Sequence, residues 1–221
     1  MERILLSRPV REPGAGAGRD ASTFDAAVAR AAAVLNAGGV AILPAEGLYG
    51  LHARPDLPEA LGRLQAIKPR EGGRGWIGLI AVPEDIARLA DPPVDRALSL
   101  ARRHWPGALT LVVRASSRTP QSLVAADGTV ALRCPGSDFL RAVAEACGGV
   151  LLSTSANAPG AAPPATAAGL DEGRADLLVD AGPLSGVPST VARVEGEDVR
   201  VLREGAVRLG EPPLDGPGTP P

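Results

Sequence analysis

Cationic side chains near position 70 are the strongest chemical signal in this sequence. Lys68, Arg70 and Arg74 lie within seven residues, and the stretch 68–75 also contains three glycines. Positive charge at this density is what a bound polyphosphate needs for neutralisation. Lys68 is also the single lysine among 23 basic residues, which indicates a position where a compact ammonium matters. The stretch predicts a polyphosphate-binding loop without Walker spacing, and the alternative is a solvated basic loop.

A hydroxyl-rich stretch directly follows the apolar residues 150–152. It contains Ser153, Ser155 and Asn157, whose hydroxyl and amide groups can hold phosphate or carboxylate oxygens at the end of a strand. The same residue types also form Asx and ST turns that satisfy only themselves, so both interpretations stay open. Further along the chain, Ser189 and Arg203 add a hydroxyl and a cation near predicted strand ends.

The segment 44–51, with sequence PAEGLYGL, is the third candidate. It places two glycines around Tyr49, the only tyrosine of the chain, after a predicted strand. Glycine lets the backbone approach a ligand closely, so Ala45, Gly47 and Tyr49 are candidates for a substrate pocket. The alternative is an ordinary turn with a packed tyrosine.

Alternating apolar patterns predict the elements that must position these residues. Helical patterns cover 22–36, 58–67, 83–89, 94–104 and 138–147, whereas short apolar runs typical of strands cover 3–6, 40–43, 77–82, 109–113, 130–133, 150–152, 177–179, 190–194 and 200–202. This alternation favours an α/β sheet covered by helices, in which ligands bind beyond strand ends. Composition predicts one domain over 1–209, a flexible loop at 11–20 and a disordered Pro/Gly-rich tail at 210–221.

Charge and composition exclude several classes of protein. The net charge of −2 argues against a general nucleic-acid coat, yet residues 60–133 carry 11 basic against 6 acidic side chains, so an anion would settle there. Two cysteines and no signal-peptide pattern or membrane-length apolar run predict a cytoplasmic chain without membrane contact. The two histidines, His52 and His104, fit no nucleophile elbow or HExxH pattern, so neither a serine triad nor a histidine-ligated metal is expected.

Taken in chain order, these segments resemble the single-domain members of the YrdC-like family of threonylcarbamoyl-AMP synthases. The resemblance extends from about residue 22 to residue 209. The matching stretches are PAEGLYGL at 44–51, KPR at 68–70, WPGALT at 105–110, ALR at 131–133, SANAPG at 155–160, STV at 189–191 and LREGA at 202–206. Several motifs in the right order are far more specific than any one of them.

The resemblance implies a twisted mixed β-sheet with helices on both faces around a deep cleft. It also implies a reaction that joins L-threonine, bicarbonate and ATP into threonylcarbamoyl-AMP and pyrophosphate, with Mg2+, for N6-threonylcarbamoyladenosine formation in tRNA. Partner proteins of tRNA modification and weak binding of tRNA itself are further expectations. Such a transfer needs positioning and charge neutralisation more than a covalent nucleophile.

By resemblance, the same motifs assign roles to the candidate residues. Lys68, Arg70 and Arg74 hold the triphosphate. Thr110, Ser155 and Asn157 contact the phosphates and the carbamate, and Arg133 and Ser189 meet the amino-acid carboxylate and the intermediate. Arg203 closes over the adenylate, and Ser153 is assigned to the nucleotide with the hydroxyl-rich stretch. Catalysis itself is assigned to Lys68, Arg70, Ser155 and Asn157.

Three departures from the family pattern bear on the substrate. Ala45 replaces the first threonine of the family's P-T-[ED], Gly47 occupies a position where the family has a small or hydroxyl residue, and Glu71 follows KPR in place of proline. A pocket that lacks hydroxyls discriminates weakly, so the hypothesis is an enzyme that accepts a different or broader amine. A paralogue that modifies another small molecule and an RNA-binding module without turnover are the alternative functions.

Overall fold

One sheet carries the described part of the chain. The computed structural model describes residues 1–6, 19–69, 75–92, 94–158, 161–168, 170, 173 and 175–209. The predicted cations Arg70 and Arg74 and the predicted tail lie outside these residues. Of the predicted loop 11–20, only residues 19 and 20 are described, as the start of the first helix.

Ten strands and five α-helices alternate along the described residues. The strands are β1 (Glu2–Leu5), β2 (Ala41–Pro44), β3 (Tyr49–Ala53), β4 (Ile77–Ile80), β5 (Leu109–Arg114), β6 (Thr129–Arg133), β7 (Val150–Ser155), β8 (Leu177–Asp180), β9 (Thr190–Glu195) and β10 (Asp198–Arg203). The helices are α1 (Arg19–Asn36), α2 (Pro58–Ile67), α3 (Ile86–Leu89), α4 (Asp95–His104) and α5 (Asp138–Ala146), with short 3-10 turns at Pro83–Asp85 and Gln121–Leu123.

All ten strands form a single mixed sheet with the order β1-β8-β2-β3-β7-β4-β6-β5-β9-β10. The sheet contains parallel pairs, such as β4 with β6, and antiparallel pairs, such as β3 with β7. This confirms the predicted α/β class and mixed sheet. Within the described residues, no helix is long and apolar enough to cross a membrane.

The strand β3 is where the sequence prediction is wrong. Sequence patterns predict a loop at 44–51, but Tyr49–Ala53 is a strand that pairs with β2 on one side and β7 on the other. All five of its residues are buried, so it shows no alternation of apolar and polar residues. Strand β7 likewise continues to Ser155, beyond the predicted end at 152, because Ser153 pairs with both β3 and β4, and Thr154 and Ser155 pair with β3.

Helices pack against both faces of the sheet, but they cover the two faces unequally. Helices α2, α3 and α4 pack into the core on one face. On the other face, α1 and α5 pack against each other through the edge-to-face pair Phe24 and Phe139 and cover the strands β8, β2, β7 and β4. The core beneath α1 and α5 contains no residue of β6, β5, β9 or β10. On this face, the half of the sheet formed by these four strands is therefore not covered by α1 and α5, which leaves room for a cleft.

Candidate active site

A cavity of about 210 Å³ lies where the cover of α1 and α5 ends. Its wall is built from β3, β7, β4 and β6 together with the segment before β9 and the end of β10. Eight of the predicted site residues line it: Ala45, Gly47, Tyr49, Arg133, Ser153, Ser155, Ser189 and Arg203. Positions far apart in the sequence therefore share one cavity.

Lys68 connects the end of α2 to the hydroxyl-rich stretch. Its Nζ donates to the carbonyl oxygen of Ser155 at 2.7 Å, to Oγ of Ser155 at 3.0 Å and to Oδ1 of Asn157 at 2.8 Å. Asn157 in turn donates from Nδ2 to the carbonyl of Ala161 at 2.6 Å, which fixes its amide. The predicted convergence of a cation from the 68–74 segment with the turn near 155 is present for Lys68.

A second polar group joins three predicted residues beside the cavity. The hydroxyls of Thr110 and Ser189 lie 2.9 Å apart, and both side chains are buried. Nη2 of Arg203 donates to the carbonyl oxygen of Ser189 at 2.8 Å and to its Oγ at 3.1 Å. Burial, and then the nearby positive charge of Arg133, lower the pKa of Arg203. Two guanidinium groups therefore converge here, which favours an anionic ligand.

Glu46 is a site residue that sequence reasoning missed. Its Oε1 forms an ion pair with Nη2 of Arg133 and accepts a hydrogen bond from the backbone N–H of Gly136 at 3.0 Å. Burial alone would raise the pKa of Glu46, but the charge of Arg133 and these hydrogen bonds outweigh it and lower the pKa. Nε of Arg133 donates to the carbonyl of Gly107 at 3.0 Å, so both contacts fix the guanidinium against the cavity wall.

Tyr49 lines the cavity, but its side chain serves a different contact. Its hydroxyl donates to the carbonyl of Gly182 at 2.7 Å and accepts from the N–H of Ala181 at 2.9 Å. Oδ1 of Asp180 lies 3.2 Å away, and burial is the main cause that raises the pKa of Tyr49 to about 12. The sequence allowed two interpretations, a substrate-pocket residue or a packed tyrosine, and the contacts of the side chain are those of a packed tyrosine. Its hydroxyl anchors the segment that follows β8.

Gly47 lies against the segment before β9. A Cβ atom at this position would lie 2.1 Å from the carbonyl oxygen of Val187, and the N–H of Gly186 donates to the carbonyl of Gly47 at 2.9 Å. A hydroxyl side chain at position 47 would displace Val187. The absence of a side chain here is therefore required by packing between two walls of the cavity.

His52 is the second residue that sequence reasoning missed. It lies on β3 in register with Ser153 on β7, is 1% exposed and lines the cavity. Burial lowers the pKa of His52 to about 4, against the opposing effect of the carbonyls of Gly50 and Ala41. The imidazole is neutral at physiological pH. Sequence gave no signal because His52 matches no catalytic motif and its strand was not predicted.

A larger cavity of about 630 Å³ continues over the half of the sheet that α1 and α5 leave open. Thr110 lines this second cavity, together with Val112, Ala131 and Leu202. Ile77 and Arg203 line both cavities and mark their junction. The site therefore consists of a small polar compartment and a larger, more apolar one. Among the described residues, no group of three or more His, Cys, Asp or Glu side chains could hold a metal ion.

Comparison with known proteins identifies relatives with this architecture. The chain is 39% identical over 139 residues to a threonylcarbamoyl-AMP synthase of Halorhodospira halophila, a match that covers 62% of this chain and 72% of the relative. It is 32% identical over 192 residues to a threonylcarbamoyl-AMP synthase of Bacillus subtilis, covering 84% of this chain and 55% of the relative. The chain thus spans little more than half of this longer relative.

Solved structures lead to the same relatives. The crystal structure of Sua5 from Pyrococcus abyssi, complexed with L-threonine, superposes with a TM-score of 0.78 at 29% identity, covering 93% of this chain and 58% of that one. The Sua5_yciO_yrdC family model, described as "Telomere recombination", matches residues 33–205. These matches confirm the resemblance seen in the sequence motifs. The chain belongs to the Sua5/YciO/YrdC family.

Proposed function

We propose that this chain is a threonylcarbamoyl-AMP synthase, which condenses L-threonine, bicarbonate and ATP to threonylcarbamoyl-AMP and pyrophosphate. The observation that carries the proposal is the junction of the two cavities at Arg203, beside the Thr110–Ser189 pair and the ionic pair of Arg133 with Glu46. Relatives that carry this activity by name add support.

The two compartments suit the two parts of the reaction. The cavity of about 210 Å³ is lined by hydroxyls and by Arg133, which suits a small amino acid with a carboxylate. The cavity of about 630 Å³ has room and apolar surface for a nucleoside. In this assignment the reacting groups meet at the junction, where Arg203 faces both ligands.

The chemistry proceeds in two steps. Bicarbonate first loses hydroxide to give CO2, and the threonine amine forms an N–C bond to this CO2, which yields a carbamate. The proton released by the amine joins the hydroxide as water. A carbamate oxygen then attacks the α-phosphorus of ATP, so that a carbamate O–P bond forms while the bond from that phosphorus to the β-phosphate oxygen breaks and pyrophosphate leaves. Charge accumulates on the phosphoryl oxygens, where fixed cations and hydroxyl donors stabilise it without a covalent intermediate.

The residues take the roles that the resemblance implies. Lys68, with Arg70 and Arg74 from outside the described residues, neutralises the triphosphate, and Ser155 and Asn157 orient it. Arg133 and Ser189 hold the amino-acid carboxylate, and Arg203 covers the adenylate. Ser153 is the exception: it pairs with His52 on the β3–β7 ladder in the wall of the small cavity, so we assign it to the amine rather than to the nucleotide.

Mg2+ remains an expectation from the resemblance. The described residues offer no carboxylate cluster for it. Magnesium commonly binds through substrate phosphates, which ATP would supply. A cytoplasmic location, binding of tRNA and partner proteins of tRNA modification also remain predictions.

The decisive experiment incubates the purified chain with ATP, bicarbonate and L-threonine and detects pyrophosphate together with the adenylate by mass spectrometry. Pyrophosphate formation that requires both bicarbonate and threonine is the expected result. The same assay with serine and other amines tests the broader substrate range suggested by Ala45. Absence of an adenylate with every amine, or a steeply salt-dependent affinity for tRNA without ATP turnover, would contradict the proposal.

A further inference from the structure

One end of the smaller cavity is formed by Gly50, His52 and Ser153, and it has properties that the proposed reaction does not use. On the β3–β7 ladder, His52 pairs with Ser153, two residues along from the pair of Gly50 with Ser155 that lies beside Lys68. Nε2 of His52 lies 3.3 Å from Oγ of Ser153. We call this group the His52 end of the cavity.

The imidazole fills the space above Gly50. A Cβ atom on Gly50 would lie 2.8 Å from Cε1 and 3.2 Å from Nε2 of His52. The ring therefore leans along the sheet over the one residue of β3 that has no side chain. Because His52 is 1% exposed and packed in the interior of the sheet face, the ring cannot swing away without opening the core.

The His52 end is polar but uncharged. Nδ1 of His52 is buried and has no hydrogen-bond partner in the described part of the chain. The cations of the site, Lys68, Arg133 and Arg203, lie at other positions, and Arg133 and Arg203 are close enough for their charges to interact. A ligand carboxylate belongs with these cations, which leaves the neutral His52 end for an uncharged side chain.

We propose that His52 is a specificity-determining residue, whose ring over Gly50 closes the amino-acid compartment and restricts it to amines with short side chains. The hydroxyl of Ser153 is the polar group that such a side chain meets there. This inference rests on the proposed function, because it assigns the smaller cavity to the amine. It locates selectivity on β3, away from the departures at positions 45 and 47.

The test compares side chains of increasing length in wild type and in His52→Ala. Threonine, serine, valine, leucine and phenylalanine are assayed for adenylate formation, and their binding is measured by calorimetry in the presence of a non-hydrolysable ATP analogue. Removing the ring should raise the preference for leucine over threonine by about 10-fold or more, since one methylene in a pocket changes discrimination by roughly 10- to 200-fold. His52→Gln, which keeps most of the volume, should shift the preference much less.

Two further variants keep the test decisive. Gly50→Ala places a Cβ atom 2.8 Å from Cε1 of His52 and 3.1 Å from the carbonyl oxygen of Thr154, so the ring is displaced and threonine binding should weaken more than serine binding. His104→Ala removes the other histidine, which lines neither cavity, and should leave the preference unchanged.

If His52→Ala is folded by circular dichroism and its leucine-to-threonine ratio stays within about twofold of wild type, the inference is overturned. If His52→Ala does not fold, Gly50→Ala decides, and unchanged threonine and serine binding there overturns the inference.

The two proposals fail in different ways. If the wild type forms threonylcarbamoyl-AMP but His52→Ala and Gly50→Ala leave the side-chain preference unchanged, the role of His52 is overturned and the proposed function is kept. If the wild type forms no adenylate but the binding preference shifts in His52→Ala, the proposed reaction is overturned and the role of His52 is kept. Wild type that neither binds nor converts any amine overturns both.

Discussion

The ammonium nitrogen of Lys68 lies 2.8 Å from Oδ1 of Asn157, although the two residues are 89 positions apart in the sequence. Lys68 follows the last turn of α2, and Asn157 follows the end of β7. The contact brings the only lysine of the chain to the hydroxyl-rich stretch.

Removing the ammonium should reduce turnover without unfolding the chain. A fixed cation in a closed cleft typically contributes about 2.7–4 kcal/mol at the transition state, so Lys68→Ala should lower turnover on the order of 100-fold. Lys68→Arg should restore little, because a guanidinium does not replace a compact ammonium between Ser155 and Asn157. Steady-state pyrophosphate release measures both, with the exposed Arg102→Ala as a control. Near-normal turnover of Lys68→Ala would refute the role.

Arg203 and Arg200 form a matched pair on β10. Both residues are solvent-exposed, but Arg203 lines both cavities and donates to Ser189, whereas Arg200 lines neither cavity. Arg203→Ala should lower kcat/KM for ATP roughly 100-fold, because a charge-assisted contact at the reacting phosphate is lost. Arg200→Ala should stay within about twofold of wild type, as exposed charges contribute little. Equal effects of the two substitutions would contradict the assignment of Arg203.

Glu46 should act through Arg133. Glu46→Gln keeps the shape of the side chain but removes the charge that pairs with the guanidinium. Hydrogen bonds to charged groups are worth about 1.5–3 kcal/mol, which corresponds to a loss of roughly 10- to 100-fold in kcat/KM for the amino acid. Glu46→Asp should recover part of this loss. The exposed Glu59→Gln is the control, and an unchanged KM for threonine in Glu46→Gln would argue against a positioning role.

Tyr49→Phe should lower stability. The substitution removes the acceptor of the Ala181 N–H and the donor to the Gly182 carbonyl, and the ring itself is fully buried. An unpaired buried polar group costs about 1–3 kcal/mol, so the free energy of unfolding should fall by that amount. Urea titration followed by circular dichroism measures the change. A loss smaller than about 0.5 kcal/mol would show that water replaces the hydroxyl.

His52 should make stability depend on pH below neutrality. Its pKa is lowered from 6.5 to about 4 by burial, so between these values the unfolded chain binds a proton that the folded chain does not. The stabilisation is complete above about pH 6.5 and is lost as the pH falls toward 4, by up to about 3 kcal/mol. Carboxyl groups with lowered pKa, such as Glu46, lose their contribution only at lower pH.

Urea unfolding between pH 7.5 and 5 therefore reports on the histidine. His52→Gln has no titrating group at this position and should show a flatter profile over that window. Parallel profiles for wild type and variant would mean that His52 is not held neutral by the fold.

Much of the fold could be predicted from the sequence because its signals are local. Apolar runs bounded by glycine and proline located nine of the ten strands, and helical periodicity located the helices, with shifted ends such as the start of α1 at Arg19. The motif at 44–51 was recognised, but its second half was assigned to a loop. Gly50 and His52 lie in a strand that is buried on both faces, so no alternation marks it.

The residue types by themselves indicated the chemistry: one lysine, a hydroxyl-rich stretch and arginines near strand ends. The order of the motifs that contain them indicated the family. Tertiary structure alone decided which of them meet. The pairing of β3 with β7 aligned His52 with Ser153, the ion pair joined Glu46 to Arg133, and the packing of Val187 on Gly47 closed one wall. Each of these contacts joins residues distant in sequence, and strand register and burial fix them. Local patterns carry no information about register between strands that lie a hundred residues apart.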